Sequence, residues 1–121
     1  MESMEDRGMT AISAYLERIG IMPVDQKVET PYGLIDMVAI DGIELVLIDV
    51  GIGENSSIIK ESFDSTRAEE ETRAQKAKYY MEEISHVSMP VRYDHVSLLV
   101  IADERALLRH RRDAYQNQEE G

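Results

Sequence analysis

The chain has 121 residues, enough for one domain with one sizeable core, and 43% of them are hydrophobic, a globular rather than a disordered composition. It contains no cysteine, which excludes a disulfide framework and a thiolate metal site. Twenty-four acidic residues face thirteen basic ones, and the resulting net charge of -11 repels phosphate backbones at long range.

Met9, Ile12, Leu16 and Ile19 recur at helical spacing and predict a first helix over Met4 to Ile19, closed by Gly20. Strands follow at Ile21 to Val28, Leu34 to Ile40 and Ile43 to Val50. Glu29 to Gly33 reads as the first turn and Asp41-Gly42 as the second, a hairpin signal. Leu45 to Ile48 is continuously apolar, as expected of a central strand covered on both faces. Gly51 to Ser57 reads as a loop.

Thr66 followed by Glu69 is a capping-box signature and opens a second helix, with Ala74, Ala77, Met81 and Ile84 on its apolar face. Val96 to Ile101 reads as a fourth strand. A short helix is expected over Glu104 to Tyr115, and Gln116 to Gly121 as a frayed tail. The whole, 1–121, is then one α/β domain, a mixed central sheet flanked by helices, with a parallel crossover between the third and fourth strands. The acidic start, Met1 to Asp6, is no signal peptide, and no apolar run is long enough to span a membrane. A cytoplasmic protein without membrane contact is the expectation.

Asp36 and Asp49 are the candidates for chemistry. An Asp41-Gly42 turn would set Ile40 opposite Ile43, Asp36 opposite Leu47 and Asp49 opposite Leu34. The two acids are then diagonal neighbours on one face, within reach of a shared Mg²⁺ or Mn²⁺. A strand-end salt bridge and a loop cap are the simpler roles for the same two residues. Arg92 and Asp94 read as a structural ion pair at the sheet edge. His95 reads as structural. Arg109 to Arg112 reads as a solvated basic run. Tyr79, Tyr80 and Tyr93 read as packing residues.

A spaced pattern over most of the chain resembles the YraN-like family of small proteins assigned as endonucleases. It comprises Gly8, Tyr15 and Leu16; Gly33-Leu34-Ile35-Asp36 running on to Asp41-Gly42; and Ile48-Asp49-Val50-Gly51. Lys76 and Tyr80, Arg92-Tyr93-Asp94-His95, and finally His110, Ala114 and Tyr115 complete it. The resemblance implies a restriction-endonuclease-like fold and a metal-dependent nuclease acting on DNA. Asp36 and Asp49 would be its catalytic and metal-binding carboxylates, with Mg²⁺ or Mn²⁺ as the ion. The catalytic lysine position is Gly51 here. Met9 and Leu34 stand where glutamates are expected, and Gly53 where a basic residue is usual. The resemblance therefore implies an impaired member, acting through protein or weak nucleic-acid contacts. The alternatives are an active enzyme with a lysine relocated to Lys60 or Lys76, and a structural or homodimeric module.

Overall fold

A computed structural model describes residues 2–54, 63–102 and 105–117. Helix α1 spans Met4–Arg18, its first turn capped by the Ser3 side chain on the Asp6 amide. It buries Gly8, Met9, Ile12 and Leu16. Ile19 lies past its end and is 40% exposed, so the expected stripe stops one turn early. Gly20 follows at φ +86° and turns the chain towards the sheet.

Strands β1 (Met22–Thr30), β2 (Gly33–Asp41) and β3 (Glu44–Glu54) form an antiparallel meander. Residues 51–54, expected in a loop, extend β3, while 55–57 lie outside the described residues. Next come the two-residue strand β4 (Asp64–Ser65) and helix α2 (Arg67–Tyr79), which continues as a π-helical turn, Tyr80–Ser85. The capping box is present: Thr66 and Glu69 each accept the other's backbone amide. The chain then enters β5 (Val91–Ala102), β6 (Arg105–Arg111) and β7 (Gln116–Asn117), the last pairing with β4. The main sheet runs β1-β2-β3-β5-β6, and β3 and β5 are parallel neighbours across the α2 crossover.

The helix expected over Glu104 to Tyr115 is corrected to a strand. Leu107, Leu108 and Ala106 are good helix formers, but β5 without β6 would expose an unpaired edge. The burial alternates with period two. Leu108 packs on the α1-side core and His110 reaches Tyr15, whereas Leu107, Arg109 and Arg111 are exposed.

Two apolar layers cover the sheet. Met9, Ile12, Leu16, Met37, Ala39, Val46, Ile48 and Val96 fill the α1 side. Val28, Ile35, Val38, Leu45, Leu47, Ala77 and Tyr80 fill the α2 side. Of the four residues expected on the inner face of α2, Ala77 is buried and Met81 packs alongside it. Ala74 and Ile84 are exposed, and Tyr80 occupies the core instead. Ile35 and Met37 belong to different layers although alternate residues normally share a face, so β2 changes face at Asp36.

Candidate functional site

The hairpin that carries the two aspartates turns one residue later than expected. Asp41 pairs with Glu44, leaving Gly42-Ile43 as the turn, with positive φ only at Gly42. Asp41 stays in the strand, where its carboxylate accepts from Arg92 Nη1 at 2.8 Å. The shift moves every partner along by two. The ladder ends with Met37 opposite Ile48, so Asp36 and Asp49 lie just past the last pair and not in the diagonal register expected.

Each carboxylate is held from within the chain. Asp36 Oδ2 accepts the Val50 amide at 2.9 Å, so its side chain replaces a backbone ladder bond beyond the last strand pair. Burial pushes the Asp36 carboxyl above its usual range. The Val50 amide acts against this, the nearby Asp49 charge adds to it, and Lys76 opposes it. Asp49 Oδ2 accepts the Tyr115 hydroxyl at 2.5 Å. Burial first, and then this bond, raises the Tyr115 phenol above its usual range.

The surroundings differ. Asp36 borders a hollow of about 480 Å³ with Glu5, Met9, Lys27 and Val50, on the α1 side. Asp49 borders one of about 310 Å³ with Glu69, Arg73, Lys76 and Tyr93, on the α2 side. Leu34, about half exposed, lines both. Lys76 reaches over Gly33 and donates to the Leu34 carbonyl at 3.1 Å. Gly33 has φ +125°, and a Cβ there would lie 3.1 Å from Lys76 Cε, so glycine makes the approach possible. Gly51, where the resemblance implies a lysine, supplies no side chain, while Lys60 lies outside the described residues.

Glu5, one turn before Met9, lines the Asp36 hollow and contacts Lys27 at 3.7 Å. Arg73 stacks over the Tyr115 ring at 4.1 Å and donates to Ser65. Glu5, Arg73 and the Tyr115 bond were not read from the sequence. Tyr115 and Asp49 are 66 positions apart, and no local spacing marks such a pair.

A resident divalent ion does not fit this donor set. Oxygen-ligated ions take about six ligands. Here two carboxylates border separate hollows and each already accepts a donor. Among the described residues no three His, Asp or Glu side chains converge on one point.

The Arg92–Asp94 pair is structural, as its alternate spacing suggested. Asp94 is fully buried. Arg92 Nε and Nη2 bind its two oxygens at 2.9 and 3.0 Å, His110 Nε2 meets it at 2.8 Å, and the Asp113 amide donates at 3.0 Å. With Nε2 donating to the carboxylate, His110 Nδ1 accepts the Tyr15 hydroxyl at 2.9 Å. This Tyr–His–Asp chain has the outline of a proton relay. The His110 side chain is only 4% exposed, however, so the chain ties α1 to β5 and β6 rather than facing a substrate. Tyr80 and Tyr93 pack against the α2-side core, and His95 meets the Phe63 ring edge-on at 5.5 Å.

No family model matches the chain, and no curated protein matches it. Among the described residues no helix is long and apolar enough to cross a membrane.

Proposed function

We propose that this chain is a catalytically silent, nuclease-like domain that works through contacts with a protein partner. In this reading it has a restriction-endonuclease-like fold in which the former metal-site positions now serve the fold. The observation that carries the reading is the internal commitment of both aspartates: Asp49 holds the Tyr115 hydroxyl and Asp36 the Val50 amide. The mixed sheet, with α1 on one face and α2 on the other, supports the architecture. Gly51, Met9 and Leu34 at positions where the resemblance implies polar groups support the loss of activity. The test is incubation of the folded chain with supercoiled, linear, branched and single-stranded DNA in Mg²⁺ or Mn²⁺, alongside a Mn²⁺ titration followed by electron paramagnetic resonance. No cleavage and no binding tighter than millimolar are expected. Metal-dependent cleavage that Asp49→Ala abolishes would overturn the proposal.

One observation favours a second reading, an active nuclease with a relocated lysine. Lys76 shares the Asp49 hollow, and its charge acts on Asp36. That reading requires cleavage to disappear in Lys76→Ala as well as in Asp49→Ala, with both variants folded.

A further inference from the structure

The hollow on the α2 side carries charges of both signs on two facing elements. Arg73 and Lys76 line it from α2, three residues apart and so on one face of the helix, with Glu69 a turn before them. Asp49 lines it from β3, two residues after Leu47 and on the same face of the strand. Leu34, Ile35, Leu47 and Tyr93 give the hollow apolar walls.

The charges are positioned by neutral groups. Asp49 Oδ2 accepts the Tyr115 hydroxyl, and Lys76 Nζ donates to the Leu34 carbonyl. Arg73 donates to the Ser65 hydroxyl and stacks on the Tyr115 ring. Glu69 is engaged in the capping box, and the Thr66 bonds, more than Arg73, lower its carboxyl. An ammonium has three donors and a guanidinium five, so Lys76 and Arg73 have hydrogens to give beyond these bonds. Asp49 has a second oxygen, Oδ1, beyond the one that Tyr115 engages.

A ligand carrying only an anion would meet Asp49, and one carrying only a cation would meet Lys76 and Arg73. A molecule with one charge of each sign, a few atoms apart, suits both elements. It is neutral overall, so the net charge of -11 does not repel it. The apolar walls suit an apolar remainder. The volume, about 310 Å³, lies at the lower end of the roughly 300–1,000 Å³ of small-molecule sites. A free α-amino acid with an apolar side chain has all of these properties.

We propose that the Asp49 hollow binds a free α-amino acid with an apolar side chain. Its carboxylate takes Lys76 Nζ and the Arg73 guanidinium, its ammonium takes Asp49 Oδ1, and its side chain lies against Leu34, Ile35, Leu47 and Tyr93. This goes beyond the nuclease-like reading, since it requires neither a metal ion nor DNA.

The test is calorimetric titration of the full chain, in metal-free buffer at pH 7, with L-leucine and L-phenylalanine. Each is compared with its amine fragment (isoamylamine, phenethylamine) and its carboxylate fragment (4-methylpentanoate, 3-phenylpropanoate). At least one of the two amino acids is expected to bind at millimolar concentration or below, and both of its fragments about tenfold or more weakly. Asp49→Asn keeps an acceptor for Tyr115 and removes the charge. It should bring the amino acid and its carboxylate fragment to similar affinity. Lys76→Gln should weaken the amino acid and the carboxylate fragment together, without weakening the amine fragment. Lys78→Gln removes the same charge from an exposed position on α2 outside the hollow and should leave binding unchanged. Circular dichroism would show the variants folded, and the fragment comparison on the unmodified chain decides even where a variant does not fold. Three results would overturn the proposal. One is no binding of either amino acid at millimolar concentration. Another is a fragment that binds the unmodified chain as tightly as its parent amino acid. The third is equal weakening by Lys76→Gln and Lys78→Gln, which would mean diffuse charge.

Discussion

Replacing Asp94 with asparagine should cost more stability than any other single polar change in the sheet. The carboxylate is fully buried, and burial alone would push its pKa up. The bonds from His110, Arg92 and the Asp113 amide outweigh that and hold it at about 2, against an ordinary value of 3.8. A shift of about two pKa units at about 1.36 kcal/mol each is worth about 2 kcal/mol of folding stability. Asparagine also leaves Arg92, whose side chain is 12% exposed, with Asp41 and Glu44 as its charged partners among the described residues. Breaking a buried pair in this way costs about 3–5 kcal/mol. The chain has no Trp and six Tyr, so urea unfolding would be followed by tyrosine fluorescence and circular dichroism. At pH 7 the variant should be about 3 kcal/mol or more less stable. The sign of the pH dependence follows from the lowered pKa. The stabilisation is fully present above pH 3.8 and is lost as pH falls through about 2, so the gap between the two proteins should narrow between those values. Taking the difference cancels the other carboxylates that titrate in this range. Glu17→Gln, on the exposed side of α1, serves as the control and should change stability by less than about 0.5 kcal/mol. A gap below about 1 kcal/mol at pH 7, or one that stays constant down to pH 2, would refute the argument.

Tyr115→Phe removes the donor to Asp49 and should cost about 1–2 kcal/mol in urea unfolding at pH 7. Because the Tyr115 phenol is raised, its contribution is present below pH 10 and lost as pH rises beyond it. The wild-type advantage should therefore shrink in alkali, and a constant gap would count against the bond. Asp36→Ala leaves the Val50 amide without its acceptor. A cost of about 1–3 kcal/mol and faster hydrogen exchange at Val50 are expected. Asp36→Asn keeps an oxygen and removes a charge that burial disfavours. The raised Asp36 pKa favours the protonated form in the fold, so this variant should match or exceed the wild type at pH 7 and lose any advantage below pH 3.8. Gly42→Ala forces a side chain into positive φ and should cost about 1–2 kcal/mol, whereas Ile43→Ala, at a position 76% exposed, should be nearly neutral.

Elements whose signals are local were legible in the sequence. The α1 stripe, the Thr66 capping box and the apolar run at Leu45 to Ile48 each report on a few neighbouring residues, and each lies where the structure has the corresponding element. Two expectations failed for non-local reasons. Asp41-Gly42 is a good turn pair, but Arg92 from β5 binds the Asp41 carboxylate, and the turn forms at Gly42-Ile43 instead. The stretch from Arg105 to Arg111 has helical propensity, but it also has the period-two alternation of Leu108 and His110 inward against Leu107, Arg109 and Arg111 outward. The edge of β5 decided between the two. The candidate site was legible as two aspartates but not as an environment. Tyr115, Arg73 and Lys76 arrive from elements remote in the chain.

The aspartates also show why a count of acids in strands does not by itself indicate chemistry. Asp36 and Asp94 both lie in apolar central strands, where an unsatisfied carboxylate would be costly. Asp36 receives one backbone amide, which does not offset burial, and its carboxyl is pushed up. Asp94 receives both arms of Arg92, the His110 ring and the Asp113 amide, and is held at about 2. One pattern of residues thus gives pKa shifts of opposite direction, and the difference follows largely from the donors. Those donors come from β3, β5, β6 and the turn after β6, so folding assigns them. A metal ion would be one more way to satisfy Asp36 and Asp49. In this chain the Val50 amide and the Tyr115 hydroxyl already occupy an oxygen of each.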